Sequence, residues 1–325
     1  MNDDDPRPPT ARRIAIVFNP SKVDVARLRE IVRNAESRHG SSGAVWFETG
    51  RDDDGAQAAM DAAAAGASCV VVVGGDGTVR VVAEQLAGTK VPLVIAAVGT
   101  GNLFARALKL PINDPKTAVE SAFTGSARPI DVGHATLQRT DGGVTSNAFL
   151  VMAGIGLDAR MAAGTNARLK KHVGWLAYAE PIGHSVMENA DFAVHYRLDA
   201  RRRRSTRAHT IIVGNCGTLT GGVLLIPDAQ PDDGILDTVI LRPGGARGWM
   251  QIGVRLLLAR FLHRTRTGGF VRRVTRRPYA LRFDSARQIS VEFNSPQEVE
   301  LDGDSFGTIT GAQITVQPGA LQLLV

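Results

Sequence analysis

The sequence has few of the features that mark secreted or membrane-spanning proteins. It contains 2 cysteines in 325 residues, which argues against a disulfide framework and favours a reducing compartment. No apolar run is as long as a membrane span, and the acidic start MNDDD does not resemble a signal peptide. These absences predict a globular protein of the cytoplasm.

The composition and charge of the chain indicate its size class and the sign of its partners. Hydrophobic residues make up 44% and charged residues 22% of the chain, as is usual for globular proteins, and 325 residues suffice for two domains. The net charge is +6. A basic excess favours an anionic partner surface, either a membrane or a nucleic acid.

The most informative stretch, Cys69–Leu86, combines a strand, a glycine turn and a helix. Four valines, Val70–Val73, predict a buried strand, and apolar residues then recur at helical spacing from Val79. The GGDGT turn between them (Gly74–Thr78) lets the backbone approach a bulky anion, and the helix N-terminus offers N–H groups to phosphate. A carboxylate there, Asp76, suits a bound Mg²⁺ or a substrate hydroxyl that must lose its proton.

Other interpretations of the GGDGT turn are weaker. An isolated Asp-Gly pair usually forms a tight turn with a solvated carboxylate. The segment is not a Walker loop, because no Lys follows the glycines, and it does not match GxGxxG. Its place between four valines and an amphipathic helix favours a nucleotide site.

Strand and helix patterns alternate along the first third of the chain at intervals of about thirty residues, which predicts a parallel sheet with helices on both faces. Ligands of such sheets bind beyond the carboxyl ends of the strands. Asn19, Thr49 and a second glycine segment, the GTGN turn (Gly99–Asn102), follow such strand ends. After Gly133 the pattern changes to short strands separated by turn residues, which predicts an antiparallel β-sandwich.

The Asn-Pro, GGDGT and GTGN segments resemble the ATP site of the diacylglycerol kinase catalytic-domain family. The likeness is to its soluble bacterial lipid kinases, which are related to sphingosine and ceramide kinases, and it extends from Arg12 to Val325. It implies an α/β domain like that of NAD kinase and phosphofructokinase, followed by the sandwich. We expect the ATP-binding α/β domain at 12–133, with 308–325 returning to it, and the lipid-substrate domain at 134–307.

By this resemblance, the nucleotide-binding residues lie in the three segments and at two further strand positions. They are Asn19, Thr49, Gly74, Gly75, Gly77, Thr78, Gly99, Thr100, Asn102 and Asp131. For Asp131, which the resemblance places near the nucleotide and its Mg²⁺, a turn-capping role is the alternative. The chain departs from the common family pattern at Ser21-Lys22, at Val79–Val81 and at Leu103, so the acceptor end of the site stays open.

The loop after Pro231 carries a further Asp-Gly pair. In the family, a matching loop holds a structural Mg²⁺ through the Asp before Gly and nearby carbonyls, which points to Asp233 with the carbonyls of Gln230 and Ile235. Carboxylate and carbonyl oxygens are ligands that hard cations prefer. A plain Asp-Gly turn is the alternative.

Two carboxylates compete as the catalytic base. Asp302-Gly303-Asp304 stands where the family has Asp-Gly-Glu, whose last carboxylate the resemblance places near the acceptor hydroxyl. Asp304 is one methylene shorter than Glu, so it would act only if the loop moves closer or through a water. Asp76 is the other candidate and is slightly favoured.

Two basic stretches stand out late in the chain. Arginines interleaved with apolar residues across 249–277 are typical of a basic amphipathic segment that binds an anionic membrane surface, although a solvated face over a buried stripe is the alternative. The run Arg201–Arg204 is interpreted as a solvated loop. The few aromatic residues in the basic stretch argue against nucleic acid.

These patterns and the resemblance together predict a cytoplasmic, peripherally membrane-associated kinase that uses ATP and Mg²⁺. Its acceptor is a lipid alcohol, with diacylglycerol, which gives phosphatidic acid, as the first choice. The alternatives are a soluble kinase of the NAD kinase or phosphofructokinase type, and a catalytically weak protein that binds nucleotide and membrane. The sequence leaves open the exact lipid and whether the protein forms a homodimer.

Overall fold

The computed structural model describes residues 13–41, 43–50, 55–156, 191–217, 226, 229–245, 248–249, 252 and 280–325. These residues form two compact units. Unit 1 extends to Ile130 and includes Ala320–Val325, and unit 2 comprises Asp131–Gly319. The sequence-based boundaries of independently folding domains stay a prediction.

Unit 1 alternates strands with helices, as its sequence pattern predicts. Its elements are β1 (Ile14–Phe18), α1 (Val25–Arg38), β2 (Val45–Glu48), α2 (Ala56–Ala64), β3 (Cys69–Gly74), α3 (Asp76–Leu86), β4 (Leu93–Ala97), α4 (Leu103–Ala107) and α5 (Pro115–Thr124). Helices α1 and α5 begin where Asp24 and Asp114 accept hydrogen bonds from backbone N–H groups of the first turn. No helix among the described residues is long and apolar enough to span a bilayer.

The sheet of unit 1 is parallel, in the order β2-β1-β3-β4. Every residue of β1, β3 and β4 is buried, as expected for strands covered on both faces. In this register Phe18 lies beside Val73, and Gly74 lies beside Ala97. The parallel register therefore brings the segments that follow β1, β3 and β4 to one edge of the sheet.

Unit 2 consists mainly of antiparallel strands. Strand β5 (Ala127–Arg139) enters it from unit 1 and is followed by β6 (Val144–Phe149), β7 (Met152–Ile155), β8 (Phe192–Leu198), β9 (Arg204–Ala208), β10 (Thr210–Gly214), β11 (Leu236–Leu241), β12 (Leu281–Ala286), β13 (Gln288–Leu301) and β14 (Asp304–Leu324). The order β12-β11-β10-β7-β13-β14 is antiparallel throughout, and β8 pairs with β13 and with β9. Inward-facing residues of these strands form a large apolar core.

Two sequence-based predictions in the second half are wrong in their limits. The apolar pattern of Asn147–Met152 predicts a single strand, but β6 ends at Phe149 and β7 begins at Met152, because the carboxylate of Asp302 binds the backbone of Leu150 and Val151. The interpretation of Arg201–Arg204 as a loop is wrong at its end, since Arg204 begins β9. The sequence also predicts helices at 157–163 and 175–189, and both segments lie outside the described residues.

Candidate nucleotide-binding site

The structure places the three motif segments of unit 1 next to one another. The backbone N–H of Asn19 donates to the carbonyl of Val73 (3.3 Å), and Val98 donates to the carbonyl of Gly74 (3.0 Å). Thr49 joins them, since its N–H donates to the carbonyl of Phe18 (3.0 Å). The residues predicted for the site in this unit therefore share the carboxyl edge of the parallel sheet.

Asn19 shapes the chain that follows β1. Its Oδ1 accepts hydrogen bonds from the backbone N–H (3.0 Å) and the hydroxyl (2.6 Å) of Ser21. Its carbonyl accepts a hydrogen bond from the N–H of Lys22 (3.0 Å). This turn fixes the backbone from which the Lys22 side chain extends.

Lys22 brings a cation to the GGDGT turn, and the sequence reasoning did not assign it to the site. A Cβ built on Gly75 would lie 3.4 Å from the Lys22 Nζ atom, so the ammonium group lies beside this glycine. The side chain is exposed. The only signal in the sequence is the departure from the resembled family pattern at Ser21-Lys22.

The GGDGT turn leads directly into α3. The helix begins at Asp76, and its N-cap, Gly75, provides no side-chain hydrogen bond to the first turn, which includes Gly77. The buried side chain of Thr78 folds back over Gly74, where a Cβ would lie 2.9 Å from the Thr78 Cβ atom. Glycine at this position permits the close approach that compacts the turn.

Asp76 links the two glycine turns. Its Oδ2 accepts a hydrogen bond from the N–H of Asn102 and its Oδ1 from the N–H of Leu103, both at 2.6 Å. Short bonds from N–H groups to a carboxylate are charge-assisted and stronger than neutral ones. A Cβ on Gly101 would lie 2.8 Å from Oδ2, so the carboxylate requires a glycine here. Asp76 therefore holds the GTGN turn against the start of α3.

The GTGN turn is also held from its carbonyl side. Arg106 donates from Nε to the carbonyl of Gly101 (2.7 Å) and from Nη2 to that of Thr100 (3.2 Å). Gly99 donates its N–H to the Oδ1 of Asn113 (2.8 Å). Arg106 and Asn113 are further residues that the sequence reasoning missed, because their roles depend on the local fold.

Two buried polar atoms at this edge lack a hydrogen-bond partner among the described residues. They are the Oδ1 of Asn102 and the Oγ1 of Thr49. Asn102 is 2% exposed and adopts a left-handed backbone conformation (φ 56°), which asparagine tolerates better than most residues. Because an unsatisfied buried polar atom is costly, both atoms fit contacts to a polar ligand.

Asp131 lies in unit 2 and is almost fully buried (2% exposed). Its Oδ2 accepts the N–H of Gly234 (2.6 Å), its Oδ1 accepts the N–H of Gly319 (2.7 Å), and its own N–H donates to the carbonyl of Pro231 (2.7 Å). These bonds provide the partners that a buried carboxylate needs. In this structure Asp131 anchors the loop that contains Asp233, and its role in nucleotide binding stays a prediction.

The predicted Mg²⁺ loop has a donor set of the right chemical type. The Oδ1 of Asp233 accepts the N–H of Ile235 (3.0 Å), which lowers the pKa of this carboxyl group. Partial burial has a larger, opposite effect, and the neighbouring carboxylates of Asp237, Asp131 and Asp232 add to it, so the pKa of Asp233 is raised overall. A cation would relieve this crowding of negative charge.

The loop offers this cation few carboxylate ligands. Within the described residues, no group of three or more His, Cys, Asp or Glu side chains is arranged to hold a metal. A Mg²⁺ here would use the one carboxylate of Asp233, the carbonyls of Gln230 and Ile235, and waters. That combination is usual for this ion, so the residues fit it.

The Asp-Gly-Asp segment forms the turn between β13 and β14. Asp302 is 7% exposed, and its carboxylate accepts N–H groups from Leu150 (2.8 Å), Val151 (2.8 Å) and Met152 (3.0 Å). Asp304 is exposed at the start of β14. Asp302 therefore has a structural role that the sequence did not reveal, and the catalytic role of Asp304 stays a prediction.

Comparison with protein-family models matches both halves of the chain. Residues 13–135 match the diacylglycerol kinase catalytic domain, and residues 151–325 match the YegS C-terminal NAD kinase beta sandwich-like domain. The second match covers the larger part of unit 2, and its description as a sandwich agrees with the antiparallel strands found there.

Curated relatives carry kinase names. A Pseudomonas aeruginosa protein named "Probable lipid kinase YegS-like" is 35% identical over 196 residues, 59% of this chain and 61% of that protein. The chain thus spans about three fifths of the length of that relative. A Bacillus subtilis protein named diacylglycerol kinase is 24% identical over 92% of both chains.

Solved structures share the fold at low sequence identity. A diacylglycerol kinase from Bacillus anthracis str. Sterne has a TM-score of 0.66 and 20% identity, covering 98% of both chains. Yeast NADH kinase in complex with NADH has a TM-score of 0.52 and 9% identity, covering 97% of this chain and 84% of that one. The predicted fold class, a parallel α/β part like that of NAD kinase followed by an antiparallel β-sandwich, is confirmed.

Proposed function

The chain belongs to the diacylglycerol kinase catalytic-domain family, and from this premise we propose that it is an ATP-dependent lipid kinase. The hydroxyl oxygen of a lipid alcohol attacks the γ-phosphorus of ATP, the bond to the β-phosphate oxygen breaks, and ADP leaves. The hydroxyl proton passes to a carboxylate of the protein. Diacylglycerol is the proposed acceptor, and phosphatidic acid is its product.

The position of Lys22 beside the GGDGT turn is the observation that carries this proposal. The first turn of α3 has no side-chain cap from Gly75, and the helix dipole favours an anion at this end. The Lys22 ammonium adds a full positive charge at the same glycine. A nucleotide phosphate would meet both, and catalysis of phosphoryl transfer depends mainly on such positioning and charge neutralisation.

The rest of the carboxyl edge supports a nucleotide rather than a lone anion. Asn102 and Thr49 offer unpaired oxygens that can accept hydrogen bonds from hydroxyl or amino groups, as a ribose or a base presents. Asp76 and Arg106 keep the GTGN turn in place from its N–H and carbonyl sides. A preformed turn lowers the entropic cost of binding the nucleotide.

The two candidate bases have different surroundings. Both oxygens of Asp76 already accept backbone N–H groups, so we assign this carboxylate to positioning the turn. Asp304 is exposed, and we assign it the proton-accepting role. When bound to the nucleotide, Mg²⁺ would neutralise phosphate charge, whereas a Mg²⁺ held by Asp233, Gln230 and Ile235 would stabilise their loop.

Label transfer from radioactive ATP tests the activity directly. The purified chain is incubated with Mg²⁺, labelled ATP and mixed micelles that each contain one lipid alcohol, with parallel samples of NAD and fructose 6-phosphate. Label in diacylglycerol is the expected result. Label in NAD or fructose 6-phosphate would favour a soluble kinase, and ATP binding with no acceptor labelled would favour a catalytically weak nucleotide-binding protein.

Variants of Lys22 test the proposed contact between its ammonium group and the nucleotide phosphates. Lys22→Met should weaken ATP affinity about ten-fold, since a charge-assisted contact at an exposed site contributes about 1.5 kcal/mol, and Lys22→Arg should retain most of it. Adenosine affinity should not change, because adenosine has no phosphate. Lys90→Met is a matched control, since Lys90 is exposed and precedes β4 at the opposite end of the strands. Equal ATP affinity of Lys22→Met and Lys90→Met would contradict the proposed contact.

A further inference from the structure

The β8–β9 hairpin of unit 2 concentrates positive charge on two antiparallel strands and the turn between them. Strands β8 and β9 pair antiparallel from Phe192 opposite Ala208 to Tyr196 opposite Arg204. Its exposed arginines are Arg197, Arg201, Arg202, Arg203, Arg204 and Arg207. These six arginines lie within 11 consecutive residues, 197–207, of a single hairpin.

Few of these arginines are neutralised within the part of unit 2 that the structure describes. Arg203 forms an ion pair with Glu292 (2.6 Å), and Arg207 donates to the carbonyl of Asp191 (2.7 Å). The nearest acid in the turn, Asp199, accepts backbone N–H groups of the segment before β13 instead. This ion pair offsets the charge of Arg203 only, so the hairpin keeps the positive charges of Arg197, Arg201, Arg202, Arg204 and Arg207.

The core of unit 2 holds the hairpin in place. Alternate residues of β8 point inward, and Phe192, Val194 and Tyr196 are buried in the core. The opposite face carries Arg197, and Arg207 lies on the same face because it pairs with Ala193. Arginines on a fixed strand pair lose less entropy on binding than arginines on a flexible tail.

We propose that the β8–β9 hairpin docks the protein onto an anionic lipid bilayer. The charge is complementary to phosphate headgroups, and the commitment to a lipid partner rests on the proposed lipid kinase function. The aromatic residues of the hairpin, Phe192 and Tyr196, are buried, so it offers no stacking surface to nucleic-acid bases. The hairpin is a different stretch of sequence from the predicted membrane-binding segment 249–277, most of which lies outside the described residues.

The mode of docking follows from the side chains on the surface. The hairpin exposes arginines and small polar residues but no large apolar side chain, so adsorption is electrostatic and does not insert into the hydrocarbon. Such binding is screened by salt over about 8–10 Å at physiological ionic strength. Each arginine close to an anionic leaflet should change the partition coefficient about five-fold.

Vesicle co-sedimentation of the full chain without ATP tests the proposal separately from the kinase activity. Vesicles of phosphatidylcholine with and without phosphatidylglycerol are compared for Arg201→Gln/Arg202→Gln and for the control Arg27→Gln/Arg33→Gln. The control removes the same charge from exposed positions of α1 in unit 1. The hairpin variant should lose about 25-fold in partition to anionic vesicles, and the control less than three-fold.

The possible outcomes distinguish an effect of the hairpin on membrane binding from an effect of net charge and from an effect on the kinase reaction. Equal losses in the two variants, or no loss in the hairpin variant, would overturn the proposal. A hairpin variant that loses duplex DNA binding but keeps vesicle binding would overturn the choice of a lipid partner. Label transfer to a short-chain diacylglycerol dispersed without vesicles reports on the kinase alone, so loss of docking with retained transfer supports the hairpin role.

Discussion

Replacing Asp76 by asparagine should loosen the GTGN turn selectively. The carboxylate accepts two hydrogen bonds of 2.6 Å from the N–H groups of Asn102 and Leu103. Asparagine has one acceptor oxygen, and its amide NH₂ would face the second N–H. One bond is then lost, and two donors oppose each other at a half-buried position.

The size of this effect follows from the bonds involved. Hydrogen bonds to charged groups contribute about 1.5–3 kcal/mol each, and the lower value applies because Asp76 is partly solvated. The lost bond contributes about 1.5 kcal/mol and the two opposed, unsatisfied donors cost about as much again, which together give about 3 kcal/mol, or about a 100-fold change in the equilibrium for local opening. Helix α4 has five residues and cannot compensate through its own hydrogen bonds.

Hydrogen exchange measured by mass spectrometry on the peptide that spans residues 99–108 reports this local opening. Asp76→Asn should reduce protection of this peptide about 100-fold, while peptides from α1 and β3 change little. Asp114→Asn is the matched control, because Asp114 caps α5 with a 3.1 Å bond from Thr117 at an exposed site, and asparagine is an equally good cap.

Unchanged protection of residues 99–108 in Asp76→Asn would refute the positioning role. If that variant were also inactive, Asp76 would act on the reacting groups themselves, as the sequence analysis slightly favoured. Loss of protection together with weaker ATP binding would support the conclusion that the Asp76 carboxylate holds the GTGN turn in place.

Two further predictions concern carboxylates of unit 2. Burial and neighbouring acids raise the pKa of Asp233 in the folded protein, so the stability that its protonated form contributes is lost as pH rises through that pKa. Asp233→Asn should therefore raise the urea midpoint of unfolding at neutral pH. This gain should vanish below the unfolded pKa of Asp. Mg²⁺ should raise the midpoint of the unchanged chain only, and an equal rise in Asp233→Asn would disprove the metal site. Asp302→Ala should lower the free energy of unfolding by about 3–5 kcal/mol, since three backbone N–H groups lose their acceptor, whereas Asp302→Asn should lower it less. Equal denaturation curves for the two variants would contradict the structural role of the Asp302 carboxylate.

The sheet of unit 1 could be predicted because short runs of neighbouring residues indicate each of its strands. Strands β1, β3 and β4 are runs of apolar residues that lead into glycine or asparagine, and helices α1 and α5 begin at Asp caps. The short apolar run of β2, Val45–Glu48, is likewise visible in the sequence as a strand. Local pattern and tertiary burial agree here, so propensity and fold point to the same elements.

Features that depend on distant contacts could not be predicted. The break at Leu150-Val151 arises from Asp302, which approaches only when β13 pairs with β7. Lys22 reaches Gly75 only because β1 and β3 are parallel neighbours. Neither contact produces a periodic pattern in the sequence, so the residues of the motifs could be predicted but their hydrogen-bond partners could not.

Strand β14 serves both units, and this sets the order in which the protein can mature on the ribosome. Ala320–Val325 complete the sheet of unit 1, where Leu323 lies opposite Leu93 and Ser126 exchanges backbone hydrogen bonds with Val325. A nascent chain whose GGDGT and GTGN turns have already left the ribosome still lacks the strand that pairs with β4. Its apolar edge stays open to other chains until Ala320–Val325 are translated, so the nucleotide half cannot complete its sheet before unit 2 has been synthesised.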